Sequence, residues 1–402
     1  LKQAISLLKI RGSYGTVGND RIGYGERFPY VTTYAGGNGA AFGYVPQGYG
    51  GIFQSKIGVQ GLSWEVATKN NIGLDLEFFG KLNMNIDFFK ERREKILVAR
   101  SSQPAFLGTT AGIYSNLGIM DNKGIDGALD YSDQIGDLKF NLYGTFTYAS
   151  NKIVENDEPI PLYPWLSNMG YQVGQIRGFV AEGLFTDEAE ISKHAEQKFG
   201  VVRPGDIKYK DINTDGVIDV NDMVPIGNTT NPKIMFGAGM ALDFHGFHVE
   251  GFFPGAAQVD IMLISGTGAL DNRARGIIPF MGGLTSANLY KEVTDRWTVD
   301  NPRQDVTYPR LSIASPGDNN YQQSTWWLRK ADYVRLKNVQ IGYSFRPSVL
   351  KAIRLQTLYV YASGQNLLTF SKFKMWDPEL NQPNGTGYPP LRAINFGIKT
   401  NF

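Results

Sequence analysis

The sequence predicts an all-β fold, an antiparallel up-and-down β-barrel that spans a membrane and carries long loops at one end. Three observations carry this prediction. About ten segments alternate apolar and polar residues with a period of two, the side-chain period of a strand. Their connections switch regularly between very short and very long, the habit of transmembrane barrels with tight turns on one side and large loops on the other. The 402 residues hold 47 glycines and 13% aromatics, yet no apolar run of about 18 residues, so no stretch can cross a bilayer as a helix. Barrel strands conceal their hydrophobicity in alternation, so that absence leaves a barrel open.

The elements follow in order. Leu7 to Tyr14 sets Leu8, Ile10, Gly12 and Tyr14 against Lys9, Arg11 and Ser13, and Gly18-Asn19-Asp20 supplies turn chemistry beyond it. Residues 20–63 are rich in Gly, Tyr and Pro, show no period and read as a loop. Asn71 to Phe79 places Ile72, Leu74, Leu76 and Phe78 opposite Asn71, Gly73, Asp75 and Glu77. Leu82 to Phe89 continues with Leu82, Met84, Ile86 and Phe88 opposite Asn83, Asn85 and Asp87. Gly80-Lys81 between them makes a hairpin. Carboxylates alternating with large apolar groups suit a wall with lipid on one side and water on the other. A loop at 90–117 precedes a second hairpin, Lys123 to Tyr131 and Leu138 to Ala149, with its turn expected at Ser132-Asp133.

The longest loop, 150–232, holds one helix candidate, Asp187 to Gln197, with Thr186 as N-cap and acids in the first turn. Lys233 to Phe244 and Phe247 to Phe253 form a third hairpin about His245-Gly246. A loop at 254–323 leads to Arg335 to Phe345. A short helical turn at 346–354, Leu355 to Asn366 and a loop at 371–392 follow. From Ile394 the chain sets Ile394, Phe396, Ile398, Thr400 and Phe402 against Asn395, Gly397, Lys399 and Asn401, and ends on the aromatic. Taken alone, this last strand would also fit a soluble sandwich; the long–short rhythm of connections favours the barrel. Tyr14, Tyr148, Tyr343 and Phe370 stand where interfacial girdles form, although aromatics also favour strands in general.

Composition narrows the function. A formal net charge of +2 gives no basic face for nucleic acid. The absence of cysteine excludes a disulfide framework and a thiolate metal site. The opening LKQAISLLKIRGSYG has no initiator Met and is already strand-like, so a longer N-terminal part is expected before it. His194, His245 and His248 are the only histidines. No nucleophile–base order or phosphate loop accompanies them, and no enzyme activity is expected.

The strongest local motif is Asp211-Ile-Asn213-Thr-Asp215-Gly216-Val217-Ile-Asp219-Val-Asn-Asp222. It matches an EF-hand calcium loop: side-chain oxygens at positions 1, 3, 5, 9 and 12, Gly at 6, and the Val217 carbonyl at 7. Position 12 is Asp, whose arm is shorter than the usual Glu. Ile218 at position 8 is placed to pin the loop to a core. Calcium is the expected ion, with a structural role; an Asp/Asn-rich turn of the same spelling is the plainer reading. Tyr163, Trp165 and Tyr171, then Trp326, Trp327 and Trp376, are the loop aromatics that could stack on cargo, or simply pack the loops. Asn85, Asp87, Asn141, Asn338 and Gln340 point to the wet side of the wall.

KIRGSYGTVGND (Lys9 to Asp20), LSWEVATKNNIGLDLEFF (Leu62 to Phe79), GDIKYKDINTDGVIDVNDMVPIG (Gly205 to Gly227), ADYVRLKNVQIGYSF (Ala331 to Phe345), ASGQNLLTF (Ala362 to Phe370) and the terminal YPPLRAINFGIKTNF together resemble the C-terminal half of SusC-like TonB-dependent outer-membrane transporters. The resemblance spans nearly the whole chain. It implies the last ten or so strands of a 22-stranded barrel, a plug domain absent from this chain, and energy delivered by TonB through that missing N-terminal part. It also implies a SusD-like surface lipoprotein over extracellular loops, and cargo that is an oligosaccharide or a peptide. The implied location is the outer membrane of a Gram-negative bacterium. An incomplete barrel would expose two unpaired edges to lipid at a cost on the order of tens of kcal/mol. The remainder of the same barrel is therefore an expected partner, and a small self-closed barrel is the alternative. A secreted, calcium-stabilised β-rich glycan-binding module is the competing functional reading.

Overall fold

The computed structural model describes residues 4–20, 28–104, 106, 112–264, 277–279, 289–312, 318–352 and 354–401. Ten strands form one antiparallel sheet: β1 (Ile5–Asn19), β2 (Glu65–Phe78), β3 (Leu82–Ala99), β4 (Tyr114–Ile135), β5 (Leu138–Glu155), β6 (Ile234–Phe244), β7 (Phe247–Ala257), β8 (Tyr333–Ser344), β9 (Thr357–Ser371) and β10 (Ala393–Asn401). Each pairs with its neighbours in sequence, so the sheet is a meander. Among the described residues, β1 has only β2 beside it and β10 only β9, and the ten strands do not close on themselves. Phe402, the expected last residue of the terminal strand, lies outside the described residues.

Register brings apolar residues into continuous outward rows. Ile72, Phe88, Ile125, Tyr148 and Ile234 stand side by side across β2 to β6. Nearer the short turns, Val249, Ile341, Ala362 and Phe396 do the same across β7 to β10. No protein covers these rows: Ile72 is 61% exposed, Ile341 54% and Phe396 83%. A sheet in water would bury such a face, which at about 25 cal/mol per Å² is too costly to leave wet.

The opposite face carries hydrogen bonds and ion pairs. Arg11 on β1 reaches Asp75 on β2 at 2.9 Å and Asp87 on β3 at 2.7 Å. Asn141 donates to Asp130 at 2.9 Å, and Tyr143 to Glu250 at 3.1 Å. Gln340 donates to the Tyr359 hydroxyl at 3.0 Å.

The short turns are built as their residues require. His245 and Gly246 both hold positive φ, 49° and 90°, the pair a two-residue type I′ hairpin demands. Phe79 belongs to its turn rather than to the strand, with φ 54°. The turn expected at Ser132-Asp133 instead lies at Gly136, φ 61°; β4 runs four residues beyond Tyr131, to Ile135, because the ladder continues with Asp133 opposite Phe140. Strands reach well into the expected loops, most of all β3, which runs on to Ala99, while β4 begins at Tyr114. Residues 20–63 are not all loop: Thr33–Phe42 and Gln47–Lys56 pair as a separate hairpin. Its glycines and scattered aromatics carry no clean alternation, so the period was invisible. The helix candidate shortens to α1 (Glu188–Lys193), capped by the Asp187 side chain on the Glu190 amide. Thr186 serves otherwise, donating its amide and hydroxyl to Glu190. Glu196–Gln197 leaves the helix to pair with Val217–Ile218.

The hydrophobic core sits in the long connections. Phe179, Leu184, Ile207, Tyr209, Ile218, Ile261, Ile277, Tyr308 and Trp327, among others, form one buried cluster drawn from the connections after β5 and β7, with Phe373 from the one after β9.

Candidate functional site: the loop assembly and its aspartate-rich turn

The loop assembly is built by short elements too brief to show a period. Ile207–Tyr209 pairs with Ala181–Leu184, Asp260–Met262 with Leu328–Lys330, and Val224–Pro225 with Arg177–Gly178. Polar side chains sew the pieces together. The buried Gln197 amide donates to the Ile207 carbonyl at 3.0 Å and its oxygen accepts from the Tyr209 amide at 2.7 Å. Asp206, 1% exposed, takes the Arg310 guanidinium at 2.9 Å and the Asn320 amide at 2.7 Å. Burial drives the Tyr209 hydroxyl far above its ordinary range and pushes Tyr321 up to about 12. Sequence reasoning missed Gln197, Asp206, Asn319 and Asn320; polar residues in aperiodic segments give no local sign that they will be buried.

The aspartate-rich turn hangs from this core. Ile218 is fully buried and anchors it, as its position in the motif anticipates. Thr214 and Gly216 hold positive φ, 60° and 84°. Asp211 accepts from the Thr214 amide at 2.7 Å and the Gly216 amide at 2.9 Å. Asn213 accepts from the Asp215 amide at 3.1 Å, and Asp215 from the Val217 amide at 2.9 Å. Asp219 caps a 3-10 turn over Val220–Asp222 in a capping box with Asp222. Asp222 is fully buried and accepts from the amides of Ile212 and Asp219 at 2.8 and 2.9 Å. Among the described residues no three His, Asp or Glu side chains converge closely enough to hold a metal. The residues nevertheless suit a cation. A carboxylate offers about four lone-pair sites, and the amides on Asp211 leave some free. None of the four aspartates has a Lys or Arg within 4.0 Å among the described residues.

The loop aromatics divide. Tyr163 and Trp165 stack at 4.8 Å with planes 7° apart and brace the turn: the Trp165 indole donates to the Asn221 carbonyl at 2.8 Å, and the Asn213 amide to the Tyr163 hydroxyl at 3.2 Å. Tyr171 lies under the Arg177 guanidinium at 5.1 Å. Trp327, taken from the sequence as a cargo contact, is 0% exposed and donates to the Asn320 carbonyl at 2.8 Å. It is a core residue with no face to offer. Trp326 is half-buried and donates to the Thr307 carbonyl at 3.2 Å. Trp376 packs edge-on against Phe373 at 5.0 Å.

No family model matches the chain. Curated relatives do. TonB-dependent receptor P3 of Formosa agariphila is 26% identical over 99% of this chain and 40% of its own length. TonB-dependent receptor SusC of Bacteroides thetaiotaomicron is 22% identical over 99% of this chain and 38% of its own. The chain therefore spans about two fifths of the relatives it matches. Among solved structures, the RagAB peptide importer in its closed-closed state superposes with a TM-score of 0.70 at 23% identity, over 99% of this chain and 41% of that one, which supports the fold. These relatives are named receptors and importers, not enzymes, in line with the absence of a catalytic arrangement in the sequence. Over nearly its whole length, the chain is a homologue of TonB-dependent receptors of the SusC kind.

Proposed function

We propose that this chain is the C-terminal barrel portion of a TonB-dependent transporter in the outer membrane of a Gram-negative bacterium. The observation that carries the reading is the two-faced sheet. Rows of bare Ile, Leu and Phe lie on one side, and Arg11, Asp75, Asp87, Asp130 and Glu250 on the other. In a bilayer the apolar rows meet hydrocarbon and the ionic face lines a wet lumen. The two single-sided edges are then completed by the rest of the same barrel, which removes the cost of orphaned backbone groups in lipid. The long connections face outward and the short turns the periplasm. Cargo, an oligosaccharide or a peptide, is captured between the loop assembly and a SusD-like lipoprotein, and TonB acts through the missing N-terminal part. Of the loop aromatics, Trp326, Trp376, Tyr163 and Trp165 keep partial exposure for such contacts.

This chain contains no cysteine, so a cysteine placed in it can be read against the whole receptor without that substitution as the control. Phe88→Cys and Phe396→Cys in the whole receptor are expected to react with bilayer-soluble maleimides and resist charged ones. Asp87→Cys and Gln340→Cys are expected to do the reverse. Charged-reagent labelling of the apolar rows in intact membranes would end the reading.

We also propose that the turn at 211–222 takes calcium through Asp211, Asn213, Asp215 and the Val217 carbonyl, with Asp219 and Asp222 closing it. Support comes from the residue order and from four aspartates gathered without a basic partner. The Asp222 oxygens are largely spent on backbone amides, so its part is to hold the loop shut.

A further inference from the structure

We infer that the outward face of β3, β4 and β5 carries a binding site for the phosphate of an anionic membrane lipid, directly above the apolar rows. The inference rests on the membrane reading proposed above. Strand register sets the arrangement. Ile72, Phe88, Ile125 and Tyr148 form one apolar row. The next row towards the long connections reads Asn70, Lys90, Lys123 and Ser150, and the one beyond it Thr68, Arg92, Asp121 and Lys152. Each row is two residues, about 7 Å, further along the strands.

Lys90 and Lys123 are therefore direct cross-strand partners. Like charges so placed repel and destabilise the pair. All three lysines are exposed. Among the described residues none of their amines makes an ion pair or hydrogen bond, whereas the two nearby carboxylates, Glu94 and Asp121, are both engaged by Arg92, at 2.8 and 3.3 Å. With Arg92 the patch holds four cations against those two carboxylates, a net charge of +2, and the row of Lys90 and Lys123, one above exposed Phe88, contains no carboxylate. An amphiphile with an oxyanion head and hydrocarbon tails satisfies both features at once. The phosphate sits between Lys90 and Lys123 and relieves their repulsion, while the acyl chains run down the row of Phe88, Ile125 and Tyr148. Lysine stems lie along apolar surface with the ammonium raised to the head-group level. A free phosphate would use the charges and leave the apolar row unused.

The test uses the whole receptor carrying this chain, purified in a non-ionic detergent and titrated with phosphatidylglycerol, phosphatidylcholine and inorganic phosphate, with bound lipid counted by native mass spectrometry. Phosphatidylglycerol is expected to bind more tightly than phosphatidylcholine. Combined Lys90→Gln, Lys123→Gln and Lys152→Gln is expected to weaken it by roughly fivefold per lysine, leaving phosphatidylcholine unchanged. Lys9→Gln, on the inner face, is the control and should change neither. Equal phosphatidylglycerol binding by the triple variant overturns the site. Displacement of the lipid by inorganic phosphate at equal concentration overturns the lipid as its source. If the triple variant loses nothing yet still fractionates with membranes, the site falls and the membrane reading stands; a receptor soluble without detergent ends both.

Discussion

At the residue scale, three side chains show how context overrides type. Trp327 looks like a surface stacking residue in the sequence, yet Tyr308 meets its ring at 5.4 Å and no solvent reaches it. Trp327→Ala is expected to destabilise the loop assembly by about 3–5 kcal/mol, the usual cost of an emptied aromatic site, measured as an earlier loop unfolding step with the barrel intact. Trp165 sits against the aspartate-rich turn, so its fluorescence should change when calcium is added. Chelation should lower the loop melting temperature, and Asp211→Asn with Asp215→Asn should remove that sensitivity. A chelator without effect on the native protein would reduce the turn to a self-bonded knot. Glu190 is held down to about 2, first by the Lys208 ammonium and then by the Thr186 amide, against an ordinary value of 4.5. A carboxyl with a lowered folded pKa stabilises above its unfolded value and loses that contribution as pH falls through the folded one. Loop stability is therefore expected to decline between about pH 4.5 and 2, and Glu190→Gln to flatten that decline. The effect is small, since Glu190 is substantially solvated.

At the element scale, Gly239 and Tyr143 illustrate how neighbouring strands are fitted. A Cβ on Gly239 would lie 2.1 Å from the Tyr143 ring, because the ring lies flat across the glycine while stacking on Phe252 at 6.0 Å. Gly239→Val must lift the ring and break its bond to Glu250, at an expected cost of about 1–3 kcal/mol, read as a lower unfolding temperature of the barrel in detergent. Strands of this sheet were legible because alternation over eight or more residues is a strong signal. Asp75, Asp87 and Asn141 declared their face through Leu74, Ile86 and Leu142 beside them. The loop elements were not legible. Arg177–Gly178 and Val224–Pro225 are two residues each, shorter than any period, and form only because distant segments meet. The candidate turn was half legible: its spacing fixed Asp211, Asn213 and Asp215, but the brace from Tyr163 and Trp165 lies about fifty residues upstream and only the fold brings it near.

At the scale of the whole molecule, burial and span are separated. The sheet leaves its apolar residues bare and the loops bury theirs, the inverse of a soluble β-sandwich, where the inner sheet faces make the core. The two parts therefore answer to different solvents. Heating in detergent is expected to give two transitions, the loop assembly first and the hydrogen-bonded barrel wall later, followed by protease protection of β1 to β10 after the loops have been cut. A single cooperative transition would contradict that division. Arg335 marks the junction. It is 2% exposed at the loop end of β8, paired with Asp377 at 2.6 Å and Glu379 at 3.3 Å. Asp377→Ala would leave the buried guanidinium with Glu379 alone, at a cost expected below the roughly 3–5 kcal/mol of a buried charge left with no partner.

Gln197 bonded to Asn319, and Asp206 to Arg310, join chain segments more than a hundred residues apart. Anyone grafting a single loop from a related chain would sever those stitches and leave orphaned amides behind. Exchanging the loop assembly thus calls for transplanting the connections after β5 and β7 as one matched set.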